Sequence, residues 1–261
     1  MKYHKLTIAG TFATEFIMNR KPIPPSNFHG RKFSANPENK EKNRIKSHKK
    51  SQRSCTNYIE CNIEPNSALI TFTFDKNLYL DIIFDIKKAN KVFEKFLPRL
   101  NNRLKAYEPI KCLKYLKFLD FSVKDNSIHF HVIFFNLPNI SKEDLTKAWK
   151  FGNVDIKSIE EYQKIKNIDS YSGLSSYLLK AYTNTSLCSA MNNPKLYSPS
   201  KGLSLPISIT NYQEEFYKVS EELEKAEIIN QNTNYDLHFG RIERKIRLLK
   251  DNSLYIELLN S

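Results

Sequence analysis

The chain has 261 residues, and its 41 Lys and Arg against 28 Asp and Glu give a formal net charge of +13. This length suits one large domain or a domain with appendages, and the hydrophobic content of 40% is ordinary. The excess positive charge favours a polyanionic partner, with nucleic acid ahead of an anionic membrane. The alternative is that the charge reflects a Lys-rich proteome.

The composition also argues against a membrane-spanning or secreted chain. No apolar run has the length needed to cross a bilayer, and the first ten residues lack the apolar core of a signal peptide. The cysteines form no Cys-x-x-Cys pair, which is typical of reduced thiols rather than a disulfide or zinc framework. They are Cys55, Cys61, Cys112 and Cys188. We therefore expect a cytoplasmic protein without a membrane partner.

Residues 1–55 predict a basic, partly flexible N-terminal arm rather than part of a core. From residue 40 to residue 53, seven of the fourteen residues are Lys or Arg, and a short helix could run from here into residues 54–61. Such a tract is usually a solvated surface, but in a DNA-binding chain it can grip phosphates. The candidate DNA-binding residues are Lys40, Lys42, Arg44, Lys46, Lys49, Lys50 and Arg53.

The central segment, residues 56–207, alternates predicted strands and helices. β-branched and aromatic residues predict a strand at 68–74, and apolar residues at helical spacing predict an amphipathic helix at 86–107 despite Pro98. The remaining elements are two hairpin strands at 115–123 and 129–135, a helix that Ser141 caps and that runs to about Trp149, a strand at 154–159 and an amphipathic helix at 170–182.

The last segment, residues 208–261, predicts a small helical C-terminal appendage. Residues 213–229 are acidic with a helical pattern, and residues 241–250 are basic with a helical pattern. Their opposite charges suggest that the two helices could pair. Contact with DNA or with a partner protein is the only role that this segment suggests.

The second hairpin strand carries the motif His129-Phe130-His131. Because side chains alternate along a strand, both imidazoles project to one face while Phe130 projects to the other. Two imidazoles on one rigid strand can form two arms of a metal site. The alternative is a pair of histidines satisfied by hydrogen bonds on a half-buried sheet face.

Asp120 is the candidate third ligand, because it lies nine residues before His129 on the strand predicted to pair with it. A short hairpin can bring this carboxylate and both imidazoles to one face. Mixed nitrogen and oxygen ligands with open positions suit Mn²⁺ or Mg²⁺, which can also hold phosphate oxygens. The alternative is that Asp120 is an ordinary acid near a turn.

Tyr177 and Lys180 lie three residues apart on the helix predicted at 170–182, so they share a helix face and can point at one phosphate. A phenol with a pKa near ~10 is a poor nucleophile at neutral pH, but a nearby cation favours the phenolate. Tyr171 and Tyr182 are alternative nucleophiles. Most tyrosines on amphipathic helices simply pack with the hydroxyl in water.

In their order, these motifs resemble the HUH endonuclease superfamily, and within it the rolling-circle replication initiators (Rep proteins) of small plasmids and phages. The resemblance covers about residues 40–207. The histidine motif followed at this distance by Tyr-x-x-Lys is more specific than either motif alone. The matching parts are the strand at 69–74, Asp120 with the segment 128–138, the segment 145–157, the nucleophile motif at 174–180 and the closing segment at 193–203.

The resemblance implies an α+β fold with a central antiparallel sheet of the HUH or ferredoxin-like palm type. Helices would flank one face of the sheet, and the metal site would lie on the open face. It further implies that Asp120, His129 and His131 hold the metal, that Tyr177 is the nucleophile and that Lys180 assists it.

Two departures from the family pattern bear on this assignment. The acid is Asp where relatives often have Glu, in a hairpin one residue longer. Ala181 stands where many relatives have a second tyrosine, and Tyr182 follows one position later, roughly 100° further round the helix. We therefore expect an enzyme with one nucleophilic tyrosine.

The implied reaction is the nicking of single-stranded or hairpin origin DNA, through a 5′-phosphotyrosine link that leaves a 3′-OH for the host polymerase. The sequence has no Walker A motif, so unwinding would need a separate host helicase. Two other classes remain open: a transposase or relaxase with the same chemistry, and a non-catalytic nucleic-acid-binding protein. The resemblance implies no particular oligomeric state.

Overall fold

The structure, a computed structural model, describes residues 3–18, 37–107, 112–180, 195–228, 234–236, 241–249 and 251–260. It divides into two compact units. One unit is Ser47–Leu203, here called the site unit because it contains the predicted site. The other, here called the terminal unit, combines Met1–Lys46 with Ser204–Ser261.

The strands and helices are labelled in chain order. The strands are β1 Tyr3–Ala9, β2 Phe12–Met18, β3 Ala68–Thr73, β4 Tyr115–Phe121, β5 Ile128–Phe134, β6 Val154–Ser158, β7 Tyr197–Pro199, β8 Ile207–Thr210, β9 Glu227–Ile228, β10 Asn234–Asp236 and β11 Arg241–Leu248. The helices are α1 Pro37–Asn62, α2 Ile86–Leu104, α3 Lys142–Trp149, α4 Ile159–Lys166, α5 Tyr171–Leu178, α6 Glu215–Glu224 and α7 Ser253–Asn260. Among the described residues, no helix combines the length and apolar character needed to cross a membrane.

The site unit is built on a five-stranded antiparallel sheet with the order β6-β3-β5-β4-β7. The α+β fold with a central antiparallel sheet and flanking helices is therefore confirmed. Apolar side chains of β3 and β5 alternate between the two faces of the sheet, as the period of two predicts. On one face they pack against α2 and α3 in a large aromatic cluster that includes Phe72, Phe96, Phe130 and Trp149.

The expectation that helices cover only one face is wrong. On the second face, Leu69, Phe118 and Ile133 are apolar and fully buried, and the end of α1 together with α4 and α5 packs on them. Covering this surface removes it from water, and the burial of such side chains stabilises a fold by about 1.5–3 kcal/mol each. Only the end of this face near His129 retains polar side chains.

The connection from α3 to β6 closes tightly against the end of β3. The indole Nε1 of Trp149 donates a hydrogen bond to the Thr73 carbonyl oxygen at 2.9 Å. Gly152 has a φ of +156°, and a Cβ there would lie 2.3 Å from the same Thr73 oxygen. Glycine is therefore required at this position, and the close approach holds the end of β3 in place next to the candidate site.

The terminal unit contains a six-stranded sheet with the order β10-β11-β2-β1-β8, in which β9 also pairs with β11. Residues 3–18 thus form a hairpin rather than part of an arm. Residues 241–248 form β11 rather than a basic helix, and β11 pairs with β2. The spacing of Ile242, Ile246 and Leu248 by even numbers fits a strand, and pairing with β2 decides the conformation over local helix preference.

Both described ends of the chain therefore belong to one unit, whereas the sequence predicted a separate arm and appendage. The predicted acidic helix is present as α6 but ends at Glu224, before β9. The predicted helix after residue 40 is present as α1, which begins at Pro37 and extends to Asn62.

Candidate metal centre and nucleophile

The pairing of β4 with β5 brings three potential metal ligands together. Asp120 lies directly opposite His129 in the register, and His131 follows two positions later on the same face. One ligand atom from each of the three residues lies within 4.8 Å of the others. A His/His/Asp group of this kind can hold a metal ion.

The carboxylate of Asp120 is almost completely buried, with 1% of the residue exposed. Its Oδ1 accepts a hydrogen bond from the backbone N–H of Phe121 at 2.9 Å. Its Oδ2 lies 3.4 Å from His129 Nε2 and 3.5 Å from His131 Nε2. Burial opposes ionisation, but the attraction of the two imidazoles outweighs it and holds the pKa of Asp120 well below its usual range. Asp120 is therefore a carboxylate at neutral pH.

His131 is held in an orientation that suits a ligand. Its Nδ1 lies 3.0 Å from Thr71 Oγ1, and Thr71 is its direct partner on β3. Burial lowers the pKa of His131, which favours the neutral imidazole that binds metals. When Nδ1–H donates to Thr71, Nε2 keeps its lone pair on the side of Asp120.

The three residues fit a divalent cation. Asp120 Oδ2 is buried without a well-directed hydrogen bond although nitrogen atoms lie within 3.5 Å of it, as expected where a cation would complete the arrangement. Two neutral imidazole nitrogens and one carboxylate oxygen are a donor set that binds such ions and leaves positions open for phosphate oxygens. Mn²⁺ or Mg²⁺ remains a prediction.

Helix α5 presents Tyr177 near this group. The helix begins after Ser170, whose side chain accepts a hydrogen bond from the Gly173 N–H at 3.1 Å. Leu174 and Leu178 are buried against the sheet and anchor the helix, so the half-buried Tyr177 lies at its edge.

Lys180 follows the end of α5 and links the tyrosine with the candidate metal ligands. Its Nζ lies 3.1 Å from Asp120 Oδ2 and 4.7 Å from the centroid of the Tyr177 ring. Burial lowers its pKa, but the negative charge of Asp120 outweighs this effect and the pKa of Lys180 is raised. Lys180 is therefore a cation at neutral pH. Ala181 and Tyr182 lie outside the described residues.

Two residues of α4 that the sequence analysis missed complete the surroundings of Tyr177. The Tyr162 ring lies 5.9 Å from the Tyr177 ring, edge to face, and Lys166 Nζ lies 5.5 Å from the Tyr177 centroid. Burial raises the pKa of Tyr177, but Lys166 and Lys180 outweigh it, and the pKa lies below its ordinary value. The signal was present in the sequence, because Ser158 precedes an acidic first turn and Tyr162 and Lys166 are four residues apart.

The alternative nucleophile Tyr171 has a different environment. It lies at the start of α5, six residues before Tyr177. Burial and the carboxyl group of Glu60 raise its pKa. Tyr171 is therefore a weaker source of phenolate than Tyr177.

The predicted DNA-binding residues lie along α1. The side chains of Lys42, Lys46, Lys49, Lys50 and Arg53 are exposed, Arg44 is half-buried, and the side chain of Lys40 lies outside the described residues. Thr56 Oγ1 donates a hydrogen bond to Ser175 Oγ at 3.1 Å, which fixes the end of α1 to α5. The basic residues 49–53 are thereby held in a defined position on the site unit.

The fold and the site together define an α+β protein with a His-x-His and Asp group on a central antiparallel sheet and a tyrosine on an adjacent helix. Residues 67–182 match the family model of the ORF2-type replication-associated protein, and this segment contains every residue of the described site. The match confirms the resemblance to Rep-type replication proteins over this segment. No curated protein and no solved structure gave a match.

Proposed function

We propose that the chain is a replication initiator that nicks single-stranded origin DNA with Tyr177 as its nucleophile. The observation that carries the proposal is the position of Lys180, which contacts the Asp120 carboxylate and the Tyr177 ring at once. This contact connects the candidate metal ligands with the candidate nucleophile. The match to a replication-associated family supports the biological role.

In the proposed reaction, Tyr177 Oη attacks the scissile phosphorus. The Oη–P bond forms and the P–O3′ bond breaks, so the 5′-phosphate stays on the tyrosine and the other fragment ends in a 3′-OH. The phenol proton passes to solvent before the attack, and the leaving 3′ oxygen takes up a proton from water. The phosphotyrosine link retains the energy of the phosphodiester, so the strands can be rejoined without ATP.

The chain's own residues prepare this step electrostatically. Lys166 and Lys180 favour the phenolate of Tyr177, which is the nucleophilic form. Asp120, His129 and His131 would hold the Mn²⁺ or Mg²⁺ ion. When bound, such an ion polarises a phosphoryl oxygen and makes the phosphorus more electrophilic.

The basic residues of α1 would bind DNA through contacts that do not depend on sequence and that weaken with salt. Outside the chain, the proposed cycle needs a host polymerase that extends the 3′-OH and a separate host helicase that unwinds the duplex. Both would act with it in the cytoplasm.

The experiment is incubation with labelled single-stranded oligonucleotides that cover the element's own origin, with and without Mn²⁺, followed by denaturing gel electrophoresis. We expect a metal-dependent covalent protein–DNA band for the wild type and for Tyr171→Phe, and no such band for Tyr177→Phe. Tyr171 is a matched control because it lies on the same helix and is also half-buried.

Two results would replace the proposal. DNA binding without an adduct under any divalent metal would indicate a non-catalytic nucleic-acid-binding protein. An adduct that forms on transposon ends or on a transfer origin, but not on a replication origin, would indicate a transposase or relaxase with the same chemistry.

A further inference from the structure

Two cations from two different helical segments flank the ring of Tyr177. Lys180 follows α5 and lies 4.7 Å from the ring centroid, and Lys166 ends α4 and lies 5.5 Å from it. The two cations differ in their partners. Lys180 pairs with the buried Asp120 carboxylate, whereas among the described residues no carboxylate pairs with Lys166. The charge of Lys166 is therefore directed at aromatic rings and the Tyr177 hydroxyl alone.

Helix α4 holds Lys166 in this place. Ser158 caps the start of α4 by accepting a hydrogen bond from the Glu161 N–H at 3.0 Å, and Asn167 ends it in the left-handed conformation. Tyr162, one turn before Lys166 on the same face, is buried, and its ring also lies 5.9 Å from Lys166 Nζ. The lysine is thus fixed from below by a buried aromatic ring.

We propose that Lys166 is a positioning residue of the nicking site, which holds the Tyr177 hydroxyl in place from α4 while Lys180 does so from the end of α5. This inference rests on the proposed function. It adds a second cation, from outside the Tyr-x-x-Lys motif, to the surroundings of the nucleophile.

The charges around Tyr177 support this role. Apart from the opposing effect of burial, Lys166 makes the first contribution to the lowered pKa of Tyr177, followed by Lys180. The Tyr162 hydroxyl also faces Tyr177 from α4, and burial together with Tyr177 raises the pKa of Tyr162, so it stays a neutral phenol. The nearest carboxylates act elsewhere, since Asp120 pairs with Lys180 and Asp155 with Lys157.

The test compares Lys166→Gln, Lys166→Arg and the control Lys164→Gln. Lys164 is an exposed lysine on the same helix, and its substitution makes the same charge change. The measurement is the single-turnover rate of adduct formation across pH, at saturating oligonucleotide and Mn²⁺. We expect Lys166→Gln to be about tenfold slower near neutral pH, with the deficit shrinking as pH rises, because removing a contacting cation disfavours the phenolate.

The two control variants sharpen the result. Lys166→Arg should restore most of the rate, and Lys164→Gln should behave like the wild type. A loss by the same factor at every pH would mean that Lys166 only contacts DNA or supports the fold, and would overturn the inference. A profile for Lys166→Gln that matches Lys164→Gln would also overturn it.

A second measurement separates this inference from the proposed function. Proteins labelled with ¹³C at the tyrosine Cζ are titrated by NMR without DNA, and the Tyr177 resonance is assigned by its absence in Tyr177→Phe. We expect the Tyr177 titration to move to higher pH in Lys166→Gln but not in Lys164→Gln. If the wild type forms no adduct and the titration still moves, the proposed function fails and the lysine–tyrosine contact stands. If the titration does not move, the inference fails.

Discussion

Thr71→Val should weaken metal binding without removing any ligand. Thr71 Oγ1 lies 3.0 Å from His131 Nδ1, and His131 is only 7% exposed, so little water can replace the missing hydroxyl. Valine has nearly the same shape but cannot accept the Nδ1–H bond, and the imidazole loses its preferred tautomer and orientation. Loss of such an orienting partner typically weakens metal affinity by about 10- to 100-fold, which corresponds to about 1.4–2.7 kcal/mol.

The assay is a titration with Mn²⁺, followed by electron paramagnetic resonance of the unbound ion, without DNA. Thr73→Val is the matched control. Thr73 is two residues along the same strand, opposite His129, but its Oγ1 donates to the Asn153 carbonyl oxygen at 3.3 Å instead of to a ligand. We expect Thr73→Val to retain the wild-type affinity, and thermal unfolding checks that both variants fold. Unchanged affinity in Thr71→Val would refute the orienting role of Thr71.

Three further predictions concern stability and DNA binding. Burial lowers the pKa of His131, so the unfolded state binds more protons below its own pKa of about 6.5; the free energy of unfolding without added metal should therefore fall as pH drops below about 6.5, with a flatter fall in His131→Gln, measured by urea unfolding. Gly152→Ala should cost about 1–3 kcal/mol of unfolding free energy because its Cβ would lie 2.3 Å from the Thr73 carbonyl oxygen, and a change within about 0.5 kcal/mol in urea unfolding would contradict this. Lys49→Gln and Lys50→Gln should each reduce the salt dependence of oligonucleotide binding, by about 0.7 in the log–log slope for each phosphate interaction that the substitution removes; fluorescence anisotropy checks this, and an unchanged slope would place the DNA elsewhere.

Local pattern was sufficient for the central elements of the site unit. The alternation of apolar residues around Phe130 gave β5 and its two faces, and Ser141 and Ser170 are the caps of α3 and α5 as their sequence positions predicted. These features depend on neighbours in the chain, which is why a single sequence contains them.

The terminal unit depends on contacts that are distant in sequence. The residues of β11 alone fit a helix or a strand, and its pairing with β2, more than 220 residues earlier, decides between them. The turn at Gly10, which has a φ of +57°, was a local signal for the β1–β2 hairpin that the basic composition of the following segment obscured.

The candidate site shows the same division. The faces of Asp120, His129 and His131 follow from strand periodicity and a short hairpin. Thr71 and Lys166 could not be assigned in the same way, because their roles arise from the β3–β5 register and from the packing of α4 next to α5. Side chains that orient other side chains are recognised only when tertiary neighbours are known.

The central claim is that Tyr177 forms the bond to DNA, and mapping of the linked residue tests it most directly. The wild-type protein is incubated with an origin oligonucleotide and Mn²⁺, digested with a protease and a nuclease, and analysed by tandem mass spectrometry. The account predicts a peptide that carries a 5′-phosphonucleotide on Tyr177, formed only with the metal. A nucleotide on Tyr162, Tyr171 or Tyr182, or bound DNA without any linked peptide, would contradict it.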